Sequence, residues 1–182
     1  MRSLLSFACI IFACIAVTSC GTNKKEWTTI TSGDGGFSIL MPPNTVKKDK
    51  MEVTSFGKQM IHFISWKPSN FSIDKFKLFE ISYTACPDRF ITDSIMREVM
   101  LDSSISMRKK DFTDKDFPSQ AIELNGFPGR AFIFDMPSNN TIAIVKECFV
   151  NNRRYDLTVV AKRDQGTNVE IANFFNSFQI IR

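Results

Sequence analysis

The chain of 182 residues carries 23 Lys and Arg against 19 Asp and Glu, a formal net charge of +4, and is 43% hydrophobic. So mild a charge gives no electrostatic case for nucleic acid as a partner. A single histidine leaves little material for the multi-ligand sets that metal sites draw on.

The first elements in chain order form a leader. Arg2 is followed by Leu4–Val17, fourteen residues without a charge. As a helix they rise about 21 Å, short of the roughly 30 Å hydrocarbon core of a bilayer. A basic start, a short apolar middle and small residues at the end describe a signal peptide better than a permanent span. Val17-Thr18-Ser19-Cys20 resembles the bacterial lipobox, in which the cysteine is lipidated and the residues before it are removed. An ordinary secretory leader with a coincidental cysteine is the alternative. Residues 1–19 are therefore expected to be a lipoprotein signal peptide, with a diacylglyceryl group on Cys20 and further acylation such as palmitate. Two chains are needed for stable anchoring, because each buried methylene contributes only about 0.8 kcal/mol. Gly21 stands where an aspartate retains many lipoproteins at the inner membrane. The expected home is thus the cell envelope, at the outer membrane facing the periplasm.

Removing residues 1–19 leaves 163, enough for one domain burying roughly 70% of its unfolded surface. No later apolar stretch approaches a membrane span. Residues 20–26 form a short tether of about 25 Å at full stretch. Residues 27–182 are expected to be one α+β domain, mainly an antiparallel sheet covered by helices.

Strand-like alternation runs through "EWTTIT", "FSILMP", "MEVTSF", "QMIHFISW" and "FKLFEISYTA". "SGDGG" and Gly57-Lys58 read as turns. After Pro87 the period changes, and Thr92–Lys110 reads as an amphipathic helix. Ile95, Met96, Val99 and Met100 are its expected apolar stripe, and Arg97, Arg108, Lys109 and Lys110 face water. Its "DSSIS" stretch is weaker in helix propensity. Strands resume with "QAIEL", the turn "NGFPG", "RAFIFDM", "TIAIVKECFV" and "RYDLTVVAK". Thr167-Asn168-Val169-Glu170 has a capping-box pattern, and Ile171, Phe174 and Phe175 follow at helical spacing before "SFQII". Eight or nine strands and two helices are expected. Sixteen of the 18 phenylalanines fall beyond the leader, where core packing is their default use.

"GGFSILMPP", "ELNGFPGRAFIF", "NNRRYDLTVVAKR" and "IANFFNSFQII" appear in the order found in PsbP-like proteins, and the resemblance spans about Gly36–Ile181. It implies an antiparallel sheet with helices on its faces and an accessory or binding role beside membrane complexes, not catalysis. It transfers no metal or partner site residue by residue. Gly126 and Gly129 are expected to adopt backbone angles that side chains resist, with Pro128 stiffening the turn. Arg130 beside it is a candidate contact for an anion or a partner, although pairing with a carboxylate or an aromatic ring would also suit it.

Residue patterns that carry chemistry are few. His62 lies mid-strand, with no HExxH or CxxC spacing anywhere. No GxSxG, GxxxxGK[ST] or GxGxxG occurs, so no catalytic residue, metal site or cofactor is expected. Asp111, Asp114 and Asp116 cluster, but Lys110 and Lys115 among them suit a solvated loop rather than a calcium site. Cys86 and Cys148 are either two buried thiols or a disulfide, which an exported domain permits. The functional expectation is a lipid-anchored envelope accessory or binding module, held to the membrane through Cys20 and engaging a protein partner there. The alternative is a small-ligand carrier or enzyme with a pocket between sheet and helices.

Overall fold

The computed structural model describes residues 26–54, 57–70, 73–87, 94–112 and 119–181. Cys20 and the leader lie outside them, as do Asp114, Asp116 and the side chains of Asp111, Arg108, Lys109 and Lys110.

Alternating strands joined by tight turns build most of the molecule. They are β1 (Thr28–Ser32), β2 (Phe37–Met41), β3 (Val46–Thr54), β4 (Gly57–Trp66) and β5 (Phe76–Ala85), then β6 (Ser119–Leu124), β7 (Phe127–Met136), β8 (Thr141–Val150), β9 (Arg153–Lys162) and β10 (Gln179–Ile180). The helices are α1 (Ser94–Phe112) and α2 (Val169–Asn176). Seven strands form one sheet in the order β3-β4-β5-β9-β8-β7-β6, and β1-β2-β10 form a second, all pairs being antiparallel. The single sheet read from the sequence is thus two sheets.

One face of the large sheet buries the main core. Phe79 and Ile81 of β5 and Tyr155, Leu157 and Val159 of β9 meet Phe37, Ile39 and Met41 of β2, with Ile171, Phe174 and Phe175 of α2. Each fully buried ring or branched chain contributes about 1.5–3 kcal/mol. Main-chain polar groups at this junction are also satisfied. The Tyr155 hydroxyl donates to the Gly35 carbonyl at 2.7 Å, and the Ser177 hydroxyl accepts from the Leu40 N–H at 2.9 Å.

The opposite face carries α1, whose sequence position between β5 and β6 takes the chain from mid-sheet to the far edge. It touches β7 and β8. Of the expected stripe only Met100 is buried, joined inside by Leu101 and Ser104, whereas Ile95 is 74% exposed and Met96 and Val99 are also exposed. The reason is chemical, since the sheet beneath α1 is partly ionic and a serine hydroxyl serves it better than a further isoleucine.

Several boundaries shift for identifiable reasons. β3 starts at Val46, five residues before the "MEVTSF" segment, because Lys47, Lys48 and Lys50 lie on an outermost strand that is solvated almost throughout. The β6–β7 turn is only Asn125-Gly126, both with positive φ (53° and 82°), the geometry of a two-residue hairpin. Pro128 and Gly129 consequently lie within β7. Gly129 is required by proximity and not by angle, since a Cβ there would sit 2.3 Å from the Glu147 carbonyl oxygen. Gly129→Ala should therefore force β7 and β8 apart and cost about 1–3 kcal/mol. The measurement is the urea midpoint, which should fall with the slope unchanged. The α2 cap is Asn168, one residue after the expected Thr167, its side-chain oxygen accepting from the Glu170 N–H at 2.9 Å.

Candidate functional site

A groove of about 510 Å³ opens where the ends of several elements converge. Trp27 enters it just before β1, Pro42 and Pro43 just after β2, and Trp66 and Lys67 at the end of β4. Asp74 comes from the approach to β5 and Glu170 from the first turn of α2. Phe79 forms its floor: fully buried, its ring centroid lies 4.9 Å from that of Trp27 and 5.9 Å from that of Trp66. Both indoles are partly exposed and are the only tryptophans of the chain. The volume lies within the range of small-molecule sites. Sequence spacing gave no sign of it, because its walls come from five separated segments.

Beneath α1 lies a second polar cluster. Glu147 of β8 sits directly opposite Asp156 of β9, two carboxylates facing across a strand pair. Arg154 reconciles them, with Nε 3.0 Å from Glu147 Oε1 and a terminal nitrogen 3.2 Å from Asp156. The Ser104 hydroxyl donates to the other Glu147 oxygen at 2.8 Å, bringing α1 onto the ion pair. Burial alone would weaken the guanidinium's hold on its proton, but Asp156 and Glu147 outweigh that and raise its pKa above the ordinary arginine value. The signal available in the sequence was Glu147 standing between Val145 and Phe149 on one face of β8, and Arg154 and Asp156 two apart on β9.

Arg130 meets its partners within the chain. Its terminal nitrogen pairs with Glu98 and lies 3.3 Å from Asp102, both on α1. Of the uses left open for Arg130, the one seen is pairing with carboxylates, and the residue fastens helix to sheet.

Cys86 and Cys148 are free and buried. Cys148 faces the main core opposite Tyr155, while Cys86 packs with Leu101 and Phe149 under α1. Phe149 adjoins Cys148 and points the other way, so the two thiols occupy opposite sides of the sheet and no disulfide joins them. Burial pushes the Cys86 thiol up to about 11 and raises that of Cys148 further, which keeps both protonated and unreactive.

His62 lies on the β3–β4 hairpin, its Nδ1 2.8 Å from Asp49 Oδ1 and its ring stacked 4.7 Å from Tyr83. No group of three or more His, Cys, Asp or Glu is placed to hold a metal among the described residues. The hairpin projects beyond β5, which pairs with β4 only from Ile61 onward. On one face of its tip Met51 opposes Met60 and Val53 opposes Lys58. Val53 is 80% exposed, and both methionines are open to solvent. Trp66 stands nine residues from Gly57 along β4, so groove and hairpin tip lie roughly 30 Å apart.

No family model matches the sequence, and no curated protein does. Among solved structures, the chain is similar to cyanobacterial PsbP (CyanoP) from Synechocystis sp. PCC 6803, with 10% identity and a TM-score of 0.58, covering 90% of this chain and 98% of that one. The Ran-binding protein Mog1p of Saccharomyces cerevisiae aligns at 9% identity and a TM-score of 0.44, covering 86% and 96%. Two antiparallel sheets and two helices, arranged as in CyanoP, give this chain a PsbP-like fold.

Proposed function

We propose that the protein is a lipid-anchored accessory module of the bacterial envelope, binding rather than catalytic, and that the tip of its β3–β4 hairpin engages a protein partner. One observation carries the reading: Met51, Val53 and Met60 are exposed together on a projecting hairpin, beside Lys58. Lys47, Lys48 and Lys58 form no salt bridge with a described residue. An apolar patch edged by cations suits a partner surface of complementary shape and negative charge. The lipobox-like Val17–Cys20 adds the tether, with the outer membrane as its expected seat. Residues 1–25 join the domain at Trp27, the end away from the hairpin, so a tether there would hold the tip about 30 Å outward.

A photo-crosslinking residue at Val53, expressed in intact cells, should give one discrete adduct, and the same residue at exposed Ile133 should give none. The adduct should disappear when Met51 and Met60 are changed to glutamate. A membrane-retained chain that yields no adduct from position 53 rejects the hairpin. Retention of a Cys20→Ser chain rejects the tether.

The groove favours a second reading, a carrier or binding site for a small ligand. Its two indoles, two carboxylates and one lysine supply both an apolar wall and orienting polar groups, the usual make-up of such sites.

A further inference from the structure

The groove's lining specifies the chemistry of its ligand. Asp74 and Glu170 are half-buried carboxylates, and neither forms a salt bridge with a described residue. Beside them stand the partly exposed rings of Trp27 and Trp66, both braced on Phe79. Indole faces attract cations, and alkylammonium groups are the ligands that aromatic walls and acidic side chains hold together. A neutral saccharide would also stack on indole, but it would leave two carboxylate charges uncompensated. Lys67, exposed at the same groove, contributes one positive charge. A ligand matching all of these features carries an ammonium and, a short linker away, an anion.

We infer that the Trp27–Trp66 groove binds the headgroup of a zwitterionic phospholipid, the ammonium between the indoles and beside Asp74 and Glu170, and the phosphate on Lys67. The inference rests on the small-ligand reading of the groove and specifies its ligand. A membrane source is favoured over a free amine by position. The segment preceding Trp27 contains the uncharged run Leu4–Val17 and Cys20, and only about 25 Å of chain separates Cys20 from the groove even when stretched. A bilayer that receives that segment lies within reach of the groove mouth. Lys24 and Lys25 in the intervening stretch would favour the same surface.

Because both tryptophans of the chain line the groove, its occupancy can be read directly from intrinsic emission. The full chain, in a nonionic polyoxyethylene detergent, is titrated with glycerophosphoethanolamine and glycerophosphocholine, which carry the headgroup without acyl tails. A saturable change in tryptophan emission is expected. The Asp74→Asn/Glu170→Gln double variant should weaken the apparent affinity at least tenfold, and Lys67→Ala should weaken it for the phosphodiesters while leaving choline alone unaffected. No saturable response to either headgroup overturns the inference. So does an undiminished response in the double variant, an equal response to inorganic phosphate alone, or a stronger one to a neutral disaccharide. A melting curve for each variant, expected to match the parent, separates lost binding from lost folding. The titration needs no anchor, so a Cys20→Ser chain should respond alike. If that chain stays in the membrane, the tether fails while the groove result stands.

Discussion

Replacing Arg154 by leucine is expected to cost about 3–5 kcal/mol, with a fall in Tm of roughly 10 °C. Glu147 is 0% exposed and the Arg154 side chain only 18% exposed, so the substitution takes the guanidinium away from a carboxylate held inside the protein, where the Ser104 hydroxyl still donates to it. It also leaves Glu147 facing Asp156 across the strand pair without the guanidinium that reaches both. Truncating one member of such a network is costlier than removing the network, because an uncompensated buried charge is worse than none. The double change Arg154→Leu/Glu147→Leu should therefore recover most of the loss, while Asp156, at 18% side-chain exposure, keeps some access to water. Urea denaturation of the parent, both single variants and the double closes the cycle. A single variant within about 1 kcal/mol of the parent, or strictly additive singles, would show that the cluster is not held by these charges.

Phe79→Ala should be comparably damaging, at about 3–5 kcal/mol. The ring is fully buried and lies 5.0 Å from Phe76 and 5.3 Å from Phe174, besides the two indoles. Its removal opens a void among large side chains that cannot all collapse inward, since three of them belong to different elements. Because Trp27 and Trp66 rest on this ring, native emission should shift to longer wavelength at the same time. Exposed Phe-sized positions would show neither effect. A loss below about 1 kcal/mol, or an unchanged spectrum, would mean that the groove floor is not Phe79.

Strands were legible wherever burial imposes a period of two. "TIAIVKECFV" is β8 from end to end, and Phe79 and Ile81 face the core as their alternation requires. Legibility failed where another demand outranked apolar patterning. The first five residues of β3 escaped because a solvated outermost strand needs no apolar alternation, and "VKKDK" therefore looks like a loop. In α1 the stripe of Ile95 and Val99 pointed to the wrong side, for the helix had to bring Ser104 to Glu147 and Asp102 and Glu98 to Arg130. Within the weak "DSSIS" stretch it is Ser104 that is buried, next to Met100 and Leu101. The groove was invisible for a different reason: residues 27, 66, 74 and 170 meet only after the chain has folded. A spacing motif cannot encode such a meeting.

The lysines of β3 have one more consequence. A nine-residue strand with one unpaired side is a template on which a second copy can extend the sheet, and proteins crowded on a surface meet edge to edge often. Lys47 and Lys48 put two positive charges on that strand with no salt bridge to a described residue, while Lys50 pairs with Glu52 at 2.6 Å, and a charged edge of this kind disfavours pairing with a second copy. β6, at the opposite margin, is only six residues long and offers a poor template. A charged strand at one margin and a short one at the other both disfavour sheet-to-sheet joining, a safeguard written into the margins and not into the core.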